Sequence, residues 1–317
     1  MSTSIPSRPG LREGGSDALE LFLSTRGNEV LLSYAAELTV ADKIMSQTLK
    51  GAKNAKFMAF WNADVAYHTP GVEITGGRVA SQDVTVGPDD KLISSVFVAD
   101  VDEALFDLDV RSPYTDAMGR AMAEHYDGLA ARTIVQSSRQ GALFAADSGG
   151  SSVTDAAFAT TGQNIMDGMS TAKQTMDSKK VPVHQQPVRS VLPTAQWYLV
   201  ARSDRNLNQF YNAGSASIRD YSFSTVDNIE VLKSNNLNSI FGSNDSANLA
   251  IPAQYRADYT NTRGIVFTPY AAATAVVQDL AFQMVEQPEK QGVLLLARRM
   301  VGIRPLRSKT AVELKIA

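Results

Sequence analysis

The chain has 317 residues, 44% of them hydrophobic and 20% charged, so it is long enough to bury a sizeable core and falls in the globular rather than the disordered class. It contains no cysteine, which excludes disulfides, thiolate zinc sites and cysteine nucleophiles. The formal charge of -3 argues against tight nucleic-acid binding, because counterion release needs a dense basic face, although a weakly acidic wall can enclose DNA without gripping it.

Residues 1–27 are interrupted by Pro6, Pro9, Gly10 and the Gly14-Gly15 pair, and are expected to form an arm without a regular period. Met1 to Ser16 lack the apolar stretch of a secretory signal, and no segment approaches the roughly 18 apolar residues of a membrane span. Residues 29–49 are expected to be helical. From Lys56 to His68 the pattern changes to period two: Phe57, Ala59, Trp61, Ala63, Val65 and Tyr67 share one face, while Lys56, Asn62, Asp64 and His68 share the other. That alternation predicts a long strand. Turn signals follow at Pro70-Gly71 and Gly76-Gly77, and extended stretches return at 83–86 and 92–101, so residues 51–101 are expected to form a protruding hairpin followed by a core strand. An isolated ribbon of two strands is marginal in water and its open edges invite other chains. The expected partner surface is a neighbouring subunit.

After Asp109 comes the strongest helix signal, with Ser112 as N-cap, Pro113 at the favoured first position and Asp116 complementing the positive end. Tyr114, Met118, Ala121, Met122, His125, Leu129 and Thr133 recur at helical spacing. A helix from there to about residue 145 makes a rod of order 50 Å. A Gly- and Ser-rich break is expected at 147–154, then a second amphipathic helix marked by Ile165, Met166, Met169, Ala172 and Met176 that ends before Pro182. Beyond it the pattern predicts a strand at 188–192, a short helix from Pro193-Thr194 carrying Trp197 and Leu199, strands at 229–232 and 264–267, a helix over 289–301 and a closing strand at 311–316.

Chemistry-bearing patterns are few. His68, His125 and His184 are far apart and none has a partner at metal-ligand spacing, so each is expected to be structural. Ser170-Thr171-Ala172-Lys173 matches the Ser-x-x-Lys pattern of penicillin-recognising enzymes, but Ser203-Asp204-Arg205 and Lys309-Thr310-Ala311 fail the companion segments. A hydrolase using Ser170 and Lys173 is therefore a third-ranked reading. Phosphate-cradling glycine loops and a Gly-x-Ser-x-Gly elbow are missing, and no catalytic residue, cofactor or metal is expected. The acidic run Asp100, Asp102, Glu103, Asp107 and Asp109 lacks the glycine and final glutamate of a calcium loop. Its complement in sign is the basic stretch Arg298, Arg299, Arg304, Arg307 and Lys309, and the two are expected to face one another within or between subunits.

Taken in order, these segments resemble the major capsid proteins of T-seven-like podoviruses, short-tailed bacteriophages. The resemblance begins at Leu19-Glu20-Leu21-Phe22-Leu23 and Gly27-Asn28-Glu29-Val30. It continues through Lys50-Gly51-Ala52-Lys53-Asn54-Ala55-Lys56-Phe57 and Ala66-Tyr67-His68-Thr69-Pro70-Gly71 to Asp107-Leu108-Asp109-Val110-Arg111-Ser112-Pro113-Tyr114-Thr115. Farther on, Ile229-Glu230-Val231-Leu232-Lys233-Ser234-Asn235-Asn236-Leu237 looks like the family's strand and turn. Gln291-Gly292-Val293-Leu294-Leu295-Leu296-Ala297, then Val301-Gly302-Ile303-Arg304-Pro305-Leu306, is similar to its C-terminal helix and turn. The chain departs from the family at 142–162 and 239–262, where it looks shortened or differently looped.

The resemblance implies an α+β fold, the Hong Kong 97 capsid fold. Its parts map to an N-terminal arm at 1–49, an extended loop at 50–94, a peripheral domain at 95–158 and 259–317, and an axial domain at 159–258. It also implies hexamers and pentamers closing into an icosahedral shell around double-stranded DNA, with a scaffolding protein during assembly in the bacterial cytoplasm, a portal protein at one vertex and no membrane. Trp61, Tyr67, His68, Glu73 and Arg78 on the ribbon, and Asp102, Glu103, Arg304 and Arg307 in the charged stretches, are the expected subunit contacts. An encapsulin-like nanocompartment shell is the alternative with the same fold.

Overall fold

The computed structural model describes residues 34, 38–63, 65, 67–71, 73–74, 76–101, 111–145, 147–203 and 225–317. The chain divides into two compact units. One holds, among the described residues, Tyr34, Leu38, 90–101, 111–126 and 278–301, and the other holds 39–89, 127–277 and 302–317.

In the first unit, β4 (Leu92–Ala99) runs antiparallel to β11 (Gly292–Pro305), in register from Ala99 opposite Gly292 to Leu92 opposite Arg299. On the other side of β11 lies β10 (Ala272–Gln287). The helix expected over 289–301 is thus a strand. Its Leu, Ala, Arg and Met residues are good helix formers, but burial alternates from Leu294 to Val301, and eight consecutive residues pair with β4. Two flanking strands satisfy its backbone and outweigh an intrinsic preference of a few tenths of a kcal/mol per residue.

The second unit is built on a six-stranded mixed sheet. Its order is β5 (Ser151–Thr154), β12 (Ala311–Lys315), β9 (Thr262–Phe267), β6 (Arg189–Pro193), β8 (Ile229–Ser234) and β7 (Thr225–Val226). Helix α2 (Gly162–Ser178) buries Ile165, Met166, Met169, Ala172 and Met176, the five residues its period predicts, in one core with Phe158, Leu192, Val266 and Leu314. Each of these side chains larger than alanine contributes roughly 1.5–3 kcal/mol on removal from water. The short helix α3 (Thr194–Ala201) and strands β6, β8, β9 and β12 lie where the sequence places them. β7 and β8 join through Asp227 and Asn228, whose φ of 49° and 60° make the two-residue turn that suits a twisted hairpin.

Helix α1 (Arg111–Arg139) is about 44 Å long at 1.5 Å per residue. It takes in Ser112, which was expected to stand ahead of it as a cap, and it ends six residues before the expected 145. The stop is steric. The chain returns so closely at Gly150 that a β-carbon there would lie 2.1 Å from the Ser138 carbonyl oxygen, and Gly150 N–H donates to Gln140 O at 2.9 Å. Part of the expected 147–154 break then becomes β5, paired in parallel with β12.

Strand β1 (Met45–Thr48) replaces the end of the helix expected over 29–49, whose earlier part lies mostly outside the described residues. It pairs in parallel with β10, Met45 opposite Ala273 through Thr48 opposite Val276. The ribbon consists of β2 (Ala55–Phe60) and β3 (Ser81–Val86), antiparallel from Ala55 opposite Val86 to Phe60 opposite Ser81. β2 is about half the length that the alternation to His68 predicts, and beyond the Phe60–Ser81 pair the described residues form no further strand pairing.

Gly302, inside β11, touches the end of the ribbon: a β-carbon there would meet Gly87 O at 2.0 Å and Pro88 Cα at 3.0 Å. Gly302→Ala is expected to lower stability by ~2–3 kcal/mol through forced separation of two backbones. Thermal unfolding of the purified subunit checks this, and a melting midpoint equal to wild type would contradict it.

Candidate assembly surface

The ribbon's inner face begins as core. Ala55 and Val86 are buried with Leu49, Ala273 and Ala275, and Phe57 and Leu306 pack against them. At the far end of β2, Trp61 lies against Phe144 with ring centroids 5.5 Å apart, and its backbone N–H donates to Ala80 O at 2.8 Å.

A polar clamp closes the other strand. The Tyr255 hydroxyl donates to the Asp89 carboxylate, Gln254 Nε2 donates to the same group, and Arg304 Nη2 reaches Asp89 Oδ1 at 3.2 Å. The phenol oxygen accepts from Ile303 N–H at 3.0 Å. Burial first, and then the hydrogen bond to Asp89, push the Tyr255 phenol far above its ordinary range, so it stays a donor at physiological pH.

Between these anchors the described residues are exposed. Val65 is 97% exposed, Tyr67 105% and Ile74 78%, and Met58 and Phe60 expose the outer face of β2. Large apolar side chains at such exposure are physically suited to burial against another surface.

Of the residues expected at subunit contacts, Tyr67, His68, Glu73 and Arg78 stand exposed on this segment. Trp61 is half-buried and packs within its own chain. Arg304 is engaged with Asp89, whereas Arg307 is exposed. Asp102 and Glu103 lie outside the described residues.

Of the acidic run only Asp100 is described, so its expected pairing with the basic stretch lies outside the described residues, and the partners seen for that stretch are other acids. Arg304 meets Asp89, Lys309 meets Asp147 at 3.0 Å, and Arg299 has Asp279 at 3.6 Å. Arg299 is buried, its guanidinium 4.2 Å from the Tyr126 ring centroid and 5.0 Å from that of Tyr34. Burial pulls its pKa down to about 10.

The Ser170–Lys173 pair serves the β7–β8 turn. The Ser170 hydroxyl donates to the Asp227 carboxylate and Lys173 Nζ donates to Asp227 O at 2.5 Å. Lys173 therefore addresses the turn's backbone rather than the serine oxygen it would need to activate. Among the described residues no three His, Asp or Glu side chains gather to hold a metal, and no helix is long and apolar enough to cross a membrane.

Two polar hubs escaped the sequence reading. Asp127, fully buried in α1, accepts from Thr39 N and Oγ1, Val40 N, Ala41 N and Asn236 Nδ2. At the end of the same helix, Arg139 grips Glu313 through Nε at 2.8 Å and Nη2 at 2.6 Å, while Nη1 donates to Asp258 O at 2.7 Å. That bidentate bond holds the guanidinium above its already high pKa. Only residue type hinted at either hub, an acid and a base inside a strongly helical run.

A model of the family described as Gp10A-like, major capsid protein, matches residues 57–315. The major capsid protein of Escherichia phage T7 is 30% identical over 114 residues, which cover 35% of this chain and 33% of that protein. The chain thus aligns with about a third of the length of the curated relatives it matches. The capsid structure of the cyanophage P-SCSP1u superposes with a TM-score of 0.79 at 27% identity, covering 100% of this chain and 99% of that one. The mature capsid of bacteriophage PhiM1 gives 0.74 at 15% identity over 88% and 87% of the two chains, a likeness of fold alone. The α+β architecture is that of the Hong Kong 97-type phage capsids, and the family match favours a phage capsid over an encapsulin.

Proposed function

The chain belongs to the Gp10A-like major capsid protein family, and on that premise we propose that its copies assemble into the icosahedral head of a short-tailed bacteriophage. Rings of five and six form from one subunit and close into a shell through nearly equivalent contacts, and the shell encloses double-stranded DNA without reading its sequence. The observation that carries this reading is the ribbon anchored at its base with Val65, Tyr67 and Ile74 bare at its far end. Such side chains gain from burial only when another chain covers them.

The proposed division of labour is an arm at 1–49, an extended loop at 50–94 centred on the ribbon, a peripheral domain at 95–158 and 259–317 carrying α1, and an axial domain at 159–258. Many modest interfaces, including pairing along open strand edges, hold the lattice. Assembly takes place in the host cytoplasm around a scaffolding protein, with a portal protein at one vertex, and the role is structural rather than catalytic. Tyr67, His68, Glu73, Arg78 and Arg307, exposed in the subunit, are the described contacts proposed to lie between copies.

Co-expression with the phage's scaffolding protein followed by negative-stain electron microscopy tests the reading. Closed, uniform shells are expected. A compact monomer under all assembly conditions contradicts it, and particles filled with an enzyme rather than competent for DNA would turn the reading to a nanocompartment.

A further inference from the structure

We propose that a basic, aromatic-walled pocket at the foot of the ribbon docks residues 100–109 of a second copy; this rests on the shell reading above. The pocket has a volume of about 320 Å³ and is walled on one side by Phe60, Trp61 and Phe144. Its other side brings together four cations, Lys179, Lys180, Arg307 and Lys309, against one acid, Asp147.

Two of these cations are occupied. Lys309 pairs with Asp147 at 3.0 Å, and Lys179 donates to Gly149 O at 2.6 Å, to Gly150 O at 3.1 Å and to Ser151 Oγ. Desolvation lowers the pKa of Lys179. Lys180 and Arg307 are different: both are exposed, and neither side chain has an acidic partner among the described residues.

Lys180 also carries backbone strain. It has a φ of 59° at the position just after α2, where the final turn closes through Lys180 N–H to Asp177 O at 2.8 Å and Val181 N–H to Met176 O at 3.1 Å. That left-handed position favours glycine, which has no β-carbon to clash. A lysine there forgoes stability and places a charge at the lip of the pocket, and strain of this kind gathers where a site is in use.

The occupant follows from charge and shape. Residues 100–109 carry Asp100, Asp102, Glu103, Asp107 and Asp109 with no basic residue, and Leu105, Phe106 and Leu108 lie between the acids. Carboxylates meet Lys180 and Arg307, and Phe106 meets the aromatic wall. Pocket and segment are different parts of one chain, so the contact runs head to tail, the kind that generates rings when its rotation closes, as capsomers require.

The test uses the full-length subunit with Trp197→Phe, which leaves Trp61 as the remaining tryptophan of the two in the chain. Titration with a synthetic peptide of residues 100–109 should shift Trp61 emission saturably, with affinity falling about tenfold or more in Arg307→Glu and with rising salt. A short DNA duplex is titrated in parallel. A response to duplex but not to peptide overturns the proposal in favour of nucleic acid, and no response to the peptide overturns it outright.

In shells, Lys180→Gly should raise the melting temperature of the subunit yet reduce assembly, and Arg307→Asp should block assembly until combined with Asp107→Arg. Wild-type shell yield from Lys180→Gly and Arg307→Asp sinks the docking while leaving the shell reading intact. Failure of the wild-type chain to form shells sinks the shell reading and takes the docking with it.

Discussion

Replacing Asp127 by alanine lowers the melting temperature of the isolated subunit by on the order of 10 °C, at roughly 2–4 °C per kcal/mol for a unit of this size. The reason lies in what the carboxylate holds. Its Oδ1 accepts from Val40 N at 3.1 Å and Ala41 N at 2.9 Å, and its Oδ2 from Thr39 N at 2.8 Å, Thr39 Oγ1 at 2.7 Å and Asn236 Nδ2 at 3.3 Å. Asp127, Val40 and Ala41 are buried, so water cannot readily replace the lost acceptor. Donors stranded in this way cost about 1–3 kcal/mol each before relaxation, and a net loss of ~3–5 kcal/mol is a large share of the 5–15 kcal/mol that typically holds a domain together.

Hydrogen exchange gives the local signature: the amides of residues 39–41 should open while those of α2 stay protected. Asp127→Asn should fall between, because its carbonyl still serves one side while its amide group faces donors on the other. A midpoint within about 2 °C of wild type for Asp127→Ala, set against the shift expected from the same scaling, would show that the hub is not structural.

Deletion of residues 72–79 leaves a folded subunit that does not form shells. The groups that anchor the ribbon are all retained: the β2–β3 ladder, the buried Ala55 and Val86, the Trp61–Phe144 contact and the Asp89–Tyr255–Arg304 clamp. Shortening the exposed connection changes loop-closure entropy only logarithmically, well under 1 kcal/mol. The deletion does remove Ile74, 78% exposed, together with Glu73 and Arg78. A shell repeats each contact many times, and losing about 1.4 kcal/mol per contact weakens each by a factor of ten. The expected result is an unchanged melting curve with no shells by electron microscopy. Undiminished shell formation refutes the role given to the ribbon.

Legibility in the sequence followed where the free energy came from. Helix α2 was visible because its apolar period and its buried face coincide at Ile165, Met166, Met169, Ala172 and Met176. The ribbon was visible in its alternation and turn residues, though its paired length was overestimated because alternation reports a face and not a partner. The sequence pattern does not mark strand β10 and predicts a helix over much of β11, since Ala, Leu, Arg and Met favour helix locally and only pairing with β4 makes β11 extended. Alternation places Trp61 on the ribbon, but nothing in the local sequence announces its contact with Phe144, which is distant in the chain.

Periodicity by itself determined the existence of a long helix and a ribbon, and the order of the motifs carried the family resemblance that implied the fold class. These depend on residue type and near-neighbour spacing, which a linear chain displays. Tertiary structure alone decided that β11 is a strand, that Asp127, Asp89 and Glu313 anchor segments up to 215 residues away, and that Lys180 and Arg307 share one pocket. Each of these arises from pairing or from desolvation of a charge, and both depend on which distant groups the folded chain brings into contact.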